Sequence, residues 1–371
     1  MPTELTITTR HLIRCVVMLA ALCASQFCFA QPQSQLIAVE KDGKTGFIDQ
    51  TGKVVIPFQF DRANSFYEGL ALVTRKDRKF FIDTTGRVLF EAKYDVVRDF
   101  SEGLCAVNIG QKTDRNNGVM IETGKWGYID KTGKLVIPMK FTHAESFSEG
   151  WAAIKNGDHG AFIDHDTKIM FEITFDVTAG FREGIVAVFY RGTLAYFDRT
   201  GKQISPPLRY GKDHSFSEGL VPVAINRKTG FMDRTGKLAI EPQFEDAEDF
   251  SEGLAPVKVR GEAMTRCERE PSGYRESFRM KWGYIDRTGK MIIPPEFESA
   301  DRFSEGLGAI NQCGEGYFID KTGKKIVLGK FSQVSPFAAG VSRINVGVNE
   351  DRMWALIDKT GKIIWGPTKR W

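Results

Sequence analysis

Eight times in this chain a phenylalanine is followed two residues later by Glu-Gly or its remnant. The phenylalanines are Phe66, Phe100, Phe147, Phe181, Phe216, Phe250, Phe303 and Phe337, the last ahead of Ala339-Gly340. The glycines fall at 69, 103, 150, 184, 219, 253, 306 and 340, so neighbours are 34, 47, 34, 35, 34, 53 and 34 residues apart. A period near 34 means a repeat protein, whose units bury their apolar faces against one another. Function is then expected in what the units present together, or where one unit departs from the rest.

Each unit reads as three short strands. Strand a follows the Glu-Gly pair, as in Leu70-Ala71-Leu72-Val73; strand b is a segment such as Trp126-Gly127-Tyr128-Ile129; strand c is one such as Leu135-Val136-Ile137-Pro138. Alternation and β-branched or aromatic content favour strands, and each run is too short for a helix. Nine such units fit between Gln35 and Trp365; the first lacks a Phe-x-Glu-Gly and the ninth stops after Ile363-Ile364-Trp365.

The b–c connection is Asp-x-Thr-Gly followed by Lys or Arg, with aspartates at 49, 83, 130, 198, 233, 286, 320 and 358. Aspartate accepts bonds from its own turn, and glycine takes φ > 0 without a Cβ clash. The fourth unit departs, as Asp164-His165-Asp166-Thr167-Lys168 puts threonine where glycine belongs, and a different turn is expected there. Strand c is expected to end at proline (Pro57, Pro138, Pro242, Pro294), which removes a ladder donor. An aromatic follows at Phe60, Tyr94, Phe141, Phe175, Tyr210, Phe244, Phe297 or Phe331, giving two per repeat and the material of a continuous core. Burying one such side chain contributes about 2 kcal/mol.

Residues 1–30 stand outside the repeat. Arg10 and Arg14 precede an apolar run from Cys15 to Leu22, and Cys28 and Ala30 supply small residues for cleavage after Ala30. This is the pattern of a secretory signal, with 31–371 as the repeat domain; the run is short and broken for a permanent span. The mature chain keeps Cys105, Cys267 and Cys313, an odd number at no metal-like spacing. Cys105 occupies a position that is Ala71 or Ala152 in sister units and is expected to pack in the core. A formal charge of +4 is too small to point to nucleic acid.

The segments Lys125-Trp126-Gly127-Tyr128-Ile129-Asp130-Lys131-Thr132-Gly133-Lys134 and Lys281-Trp282-Gly283-Tyr284-Ile285-Asp286-Arg287-Thr288-Gly289-Lys290 are each followed by Ile-Pro and later by Phe-Ser-Glu-Gly. In this they resemble the WG (KWG) repeat family of bacterial proteins, over essentially all of residues 36–365. The resemblance implies a secreted or envelope-associated repeat protein with no common activity. The name-giving tryptophan is replaced at Thr45, Lys79, Gly160, Leu194, Thr229 and Gly316, so a function that needs every tryptophan is not expected. The fold expected is all-β: about nine tandem three-stranded meanders in an open, solenoid-like array. A closed β-propeller is the alternative, for which 34 residues per blade is short.

Nothing in the sequence reads as catalysis. Seven equivalent glutamates argue for a repeated structural task, such as accepting backbone bonds at a turn, whereas an active site needs carboxylates in unlike environments. No His-x-x-x-His, Cys-x-x-Cys or phosphate loop is present, and no metal or cofactor is expected. Two features stand above this background. Cations in and after the b–c turns form a candidate basic edge: Lys131, Lys134, Arg199, Lys202, Arg234, Lys237, Arg287, Lys290, Lys321, Lys324, Lys359 and Lys362. Long insertions extend the a–b hairpin of the third unit (about 108–124) and seventh unit (about 258–280), with a milder one in the ninth (347–352). Those units keep Trp126, Trp282 and Trp354. With Arg260, Arg266, Arg269, Tyr274 and Arg275 of the seventh-unit insertion, these are the candidate partner-binding residues. The expected function is a non-enzymatic periplasmic or extracellular scaffold that binds a protein or glycan of the cell envelope. An envelope hydrolase on a propeller and a purely structural spacer are the alternatives.

Overall fold

The computed structural model describes residues 36–110, 112–113, 120–121, 123–178, 180–209, 214–261, 280–312, 314–347 and 353–368. The expected signal segment, Cys267 and Cys313 lie outside them. All regular structure among the described residues is β. Nine antiparallel sheets follow one another along the chain, over 37–60, 62–91, 96–141, 143–172, 177–209, 220–244, 246–297, 299–331 and 333–368. A small two-stranded pair, Lys112–Thr113 with Met120–Ile121, belongs to the third-unit insertion.

Strands a, b and c appear where the sequence places them, but among the described residues seven of the nine sheets hold a fourth strand. This strand, d, is two residues long, as in Arg62–Ala63 or Asp246–Ala247, and pairs with strand a. It lies just ahead of Phe-x-Glu-Gly, and that motif forms the d–a hairpin. Tyr67 and Leu70 exchange both backbone bonds at 2.8 and 2.9 Å. Between them Glu68 has φ 51° and Gly69 φ 83°, the two left-handed residues of a type I′ turn. All seven glutamates of the motif share this conformation.

The expected aromatic core forms, and its units are pairs that join sheets. In every sheet but the ninth, the central b-strand aromatic packs on the motif phenylalanine of the following sheet. The pairs are Phe47–Phe66, Phe81–Phe100, Tyr128–Phe147, Phe162–Phe181, Tyr196–Phe216, Phe231–Phe250, Tyr284–Phe303 and Phe318–Phe337, with ring centroids 4.8–5.7 Å apart. Such tilted pairs add about 1 kcal/mol each beyond their burial. Cys105 is fully buried among them, and burial pushes its thiol up to about 12.

Proline does not end strand c. Strands such as Val54–Phe60 and Leu135–Phe141 run on through it, with a bulge that sets Trp126 opposite Phe141 and Tyr128 opposite Ile137. The missing N–H thus falls where the ladder is already interrupted. The bulge presses the c backbone onto strand b, and a Cβ on Gly127 would lie 2.5 Å from the Ile137 carbonyl. Gly46, Gly230 and Gly283 meet the same constraint at 2.7, 2.5 and 2.6 Å.

Turn glycines rest on strand c of the preceding sheet: Gly86 on Ile56, Gly201 on Phe171, Gly289 on Ile240, Gly361 on Leu328. The first sheet makes the same contact with the ninth, Gly52 closing on Ile364. Phe58 stacks on Trp365 at 5.3 Å, and Val39 and Ile48 share a core with Leu356.

Candidate functional site

Strand a runs from the Glu-Gly turn to the a–b hairpin, and strand b returns to Asp-x-Thr-Gly. Both motif turns therefore occupy one end of each sheet, and the a–b hairpins occupy the other.

At the motif end the turns bond across sheets. The Asp130 carboxylate accepts the Thr132 hydroxyl at 2.5 Å and the amides of Thr132 and Lys134 at 2.9 and 3.1 Å. The threonine hydroxyl leads in holding this carboxyl below its usual range, and the same holds for Asp49, Asp83, Asp198, Asp233, Asp286, Asp320 and Asp358. The fourth unit keeps this turn, contrary to the expectation from its sequence. Thr167 N donates to Asp164 O at 3.0 Å, and Thr167 itself adopts φ 65°.

The glutamates accept backbone bonds, as expected of a structural role, but from the next unit's turn. Glu68 takes the amides of Glu102 and Gly103 at 2.5 and 2.9 Å, and Glu149 those of Glu183 and Gly184 at 2.6 and 2.8 Å. Gly150, Gly219, Gly253, Gly306 and Gly340 donate in the same way to Glu102, Glu183, Glu218, Glu252 and Glu305. Where the motif has serine, its hydroxyl adds a bond to the next motif phenylalanine's carbonyl, as Ser101 to Phe147 at 2.6 Å.

This arrangement consumes half of the candidate basic edge. Lys131, Arg234, Lys321 and Lys359 pair with Glu68, Glu183, Glu252 and Glu305 of the preceding sheet at 3.0, 2.7, 3.2 and 2.9 Å. Arg199 and Arg287 donate to the carbonyls of Glu149 and Glu218. The six are links between sheets, not a free anion-binding row. Lys134, Lys202, Lys237, Lys290, Lys324 and Lys362, which follow the turns, remain on the exposed rim. The same turn position holds Gln50 and His165, which the sequence does not single out. Gln50 donates to the Ala339 carbonyl at 2.6 Å, and His165 lies 3.3 Å from that of Glu102. Only their place in the aligned repeats marks them.

At the other end, the insertions leave from the a–b hairpins as expected: between Ile109 and Lys125, Arg260 and Met280, and Val346 and Met353. The tryptophans do not line a surface there. Trp126 and Trp282 are only 5% and 9% exposed, packed in the cores shared with the following sheet, while Trp354 is half-buried under the Arg343 guanidinium at 4.1 Å. Trp126 stands opposite Phe141 of strand c and Trp282 opposite Phe297, and both face the core and not solvent. Arg260 ends its strand exposed; Arg266, Arg269, Tyr274 and Arg275 lie outside the described residues.

Polar pairs also cross sheets beside strand d. His214, buried, holds Asp249 at 2.8 Å, and Arg302 approaches the same carboxylate at 3.2 Å. Burial, aided by neighbouring Glu248 and opposed by Arg302, raises Asp301 above its ordinary range. A cavity of about 510 Å³ near His214 is lined by Leu194, Leu208, Val223, Arg227 and Glu245. Among the described residues no cluster of three or more potential metal ligands occurs.

Among solved structures the chain is similar to a eukaryotic initiation factor, at TM-score 0.59 and 14% identity over 89% of this chain and 95% of that one. It is more weakly similar to Hsv2p of Kluyveromyces lactis (TM-score 0.39, 8% identity, 71% and 98% covered). A dihydro-heme d1 dehydrogenase, NirN, in complex with DHE gives TM-score 0.39 at 13% identity, with 78% and 70% covered. At such identities the first likeness speaks to fold alone. No curated protein sequence matches. The WG containing repeat matches residues 46–79, 80–112, 126–158, 195–228, 230–262, 282–317 and 318–347, more than half of the chain, and the protein belongs to that family.

Proposed function

We propose that the nine sheets close into a propeller-like ring, and that this ring is an exported, non-enzymatic scaffold binding a protein or glycan of the cell envelope. Closure is supported by the first–ninth contacts: Gly52 meets Ile364 as the other turn glycines meet the preceding sheet, and Gln50 bonds to the Ala339 carbonyl as other turn residues bond to the preceding Glu-Gly turn. Sheets pack about 10 Å apart, so an open stack of nine would part its ends by about 80 Å. Cysteines placed at Phe58 and Trp365 should be joined within one molecule by a short bismaleimide; an open array leaves them unlinked. Export rests on the signal pattern of residues 1–30.

One observation carries the binding reading: all three extended hairpins leave their sheets at the same end, opposite the end whose turns bond to one another. Repeat scaffolds commonly bind through insertions collected on one face. Replacing 262–279 by a two-residue turn should leave folding unchanged and abolish capture of partners from envelope extract or of peptidoglycan. Undiminished capture removes the reading. The hydrolase alternative draws on Asp301 beside Glu248; turnover of peptidoglycan or a glycoside that disappears in Asp301→Asn would replace binding with catalysis.

A further inference from the structure

One position of strand b sets the second unit apart. Where seven of the nine units have glycine or alanine, as at Gly46, Gly127 and Ala161, the second carries Phe80 and the eighth Tyr317. Tyr317 is used within its own sheet: its hydroxyl donates to Gln312 Oε1 at 2.8 Å, and the Lys325 ammonium lies 4.0 Å from its ring centre. Phe80 is half-buried and carries two guanidinium groups over its ring, that of Arg78 at 5.2 Å and that of Arg75 at 6.0 Å.

The two arginines stand opposite each other. Strands a and b of the second sheet pair Ala71 with Ile82, Val73 with Phe80 and Arg75 with Arg78, three pairs on one face. The first two pack in the core shared with the first sheet, and the third projects beyond it into solvent. Like charges directly opposite in an antiparallel pair destabilise it. Among the described residues only Lys41 and Lys44 repeat this at an a–b hairpin, and there Asp61 pairs with Lys44. In the second hairpin Glu91 takes Arg78 in two bonds at 2.8 and 2.6 Å, while Arg75 and Lys76 have no carboxylate partner among the described residues. Asp77, at the tip, bonds to none of the three cations. The tip itself is held: Lys76 and Asp77 have φ 51° and 58°, the left-handed pair of a type I′ turn, and Lys76 N–H donates to the Asp61 carboxylate at 2.6 Å. Arg75, Lys76, Arg78 and Phe80 line a cavity of about 380 Å³.

We propose that this cavity binds a phosphate monoester carried on a sugar of the cell envelope. Among the groups at the cavity, Glu91 balances Arg78 and two positive charges remain. That excess suits the nearly double charge of a phosphomonoester near neutral pH better than the single charge of a uronate. Guanidinium forks present paired N–H donors to phosphate oxygens, and an anion between Arg75 and Arg78 replaces their repulsion with attraction. Phe80 holds both forks in place before the ligand arrives, so little side-chain freedom is lost on binding. The volume admits the phosphate together with one pyranose ring, within the range of about 300–1,000 Å³ usual for small-ligand sites. This hairpin leaves its sheet at the same end as the long insertions, which puts the cavity on the face already assigned to binding. The site deepens that binding reading and its biological use rests on it, but its geometry lies within one sheet and needs neither ring closure nor the insertions.

Isothermal titration of the full chain with glucose-6-phosphate at low ionic strength tests it. Saturable binding is expected, at least about tenfold tighter than that of glucuronate, with glucose giving none. Arg75→Gln should weaken it at least about tenfold, and Lys76→Gln should weaken it in the same direction. Arg75 is exposed and has no carboxylate to lose, so Arg75→Gln is expected to keep or raise the melting temperature of the unliganded protein. Should it fall instead, Lys76→Gln at the exposed tip decides the matter. Inorganic phosphate separates a free ion from a sugar phosphate: equal affinity for the two removes the sugar and overturns the proposal as stated. Absence of saturable binding, binding unchanged by both substitutions, or glucuronate bound as tightly also overturns it. Titration of the protein with 262–279 replaced reads the two proposals apart. Phosphate binding kept while envelope capture is lost supports both; capture lost with no phosphate binding in either protein refutes this site alone.

Discussion

Thr167 carries a conformation that its eight counterparts leave to glycine. Its φ of 65° costs a β-branched residue about 1–2 kcal/mol, whereas glycine adopts it freely at some cost in unfolded-chain entropy. Thr167→Gly is expected to stabilise the protein by about 1 kcal/mol in urea unfolding; a loss of stability means that the threonine side chain makes a compensating contact. Gly127 is the opposite case. The Ile137 carbonyl leaves no room for a Cβ, so Gly127→Ala should destabilise by about 2 kcal/mol or displace the bulge, although sister units hold Ala161, Ala195 and Ala355 there. Asp301 gives a pH signature. Its folded pKa is raised by burial, so its ionised form weighs against the fold above that value, and below the ordinary 3.8 the group is protonated in both states. Asp301→Asn should therefore raise the melting temperature at pH 7, with the gain shrinking as pH falls toward 4. A gain constant across that range rules out the titration.

Among the elements, the type I′ hairpin poses a puzzle. Asparagine is the preferred residue ahead of glycine in such a turn, yet seven copies use glutamate. The bonds across to the next turn account for the choice. Burial alone raises the Glu68 carboxyl, but the Lys131 ammonium and the amides of Gly103 and Glu102 outweigh it and hold the pKa below 4.5. Glu68→Asn improves the local turn and deletes those bonds, so a net loss of about 1–2 kcal/mol at pH 7 is expected. A depressed carboxylate contributes above its unfolded pKa and loses that contribution as pH falls through the folded value. The gap between the two proteins should accordingly close in acid; equal stability at pH 7 would make the ladder incidental. What the sequence made legible at this scale was whatever a single unit contains: strands a to c, the aspartate turn, the aromatic core and the hairpins that carry insertions. Strand d escaped because two residues such as Val96-Val97 show no period. The partners of Lys131 and Glu68 escaped because each lies in another unit, where local pattern is silent. The tryptophans were legible as distinctive, not as buried.

At the scale of the molecule, the first and ninth sheets decide between a linear stack and a ring. In a linear array of repeats the terminal units have one neighbour, open at low free energy and exchange their amides first. In a ring every sheet has two. The seam between ninth and first is thinner than the others: it has Gln50 where six of the turns have Lys or Arg, Leu356 where other b strands have an aromatic, and no motif phenylalanine. Stacking of Phe58 on Trp365 and the contact of Gly52 with Ile364 take their place. Hydrogen exchange under native conditions should then find the amides of Lys44–Ile48 protected nearly as well as those of the fifth sheet. Trp365→Ala removes the largest ring at the seam. It should lower protection in residues 37–60 and 353–368 together, about tenfold or more, and leave 185–198 unchanged. First-sheet amides that already exchange far ahead of the fifth sheet in the unaltered protein would show that the ends are not joined, and the ring would fall.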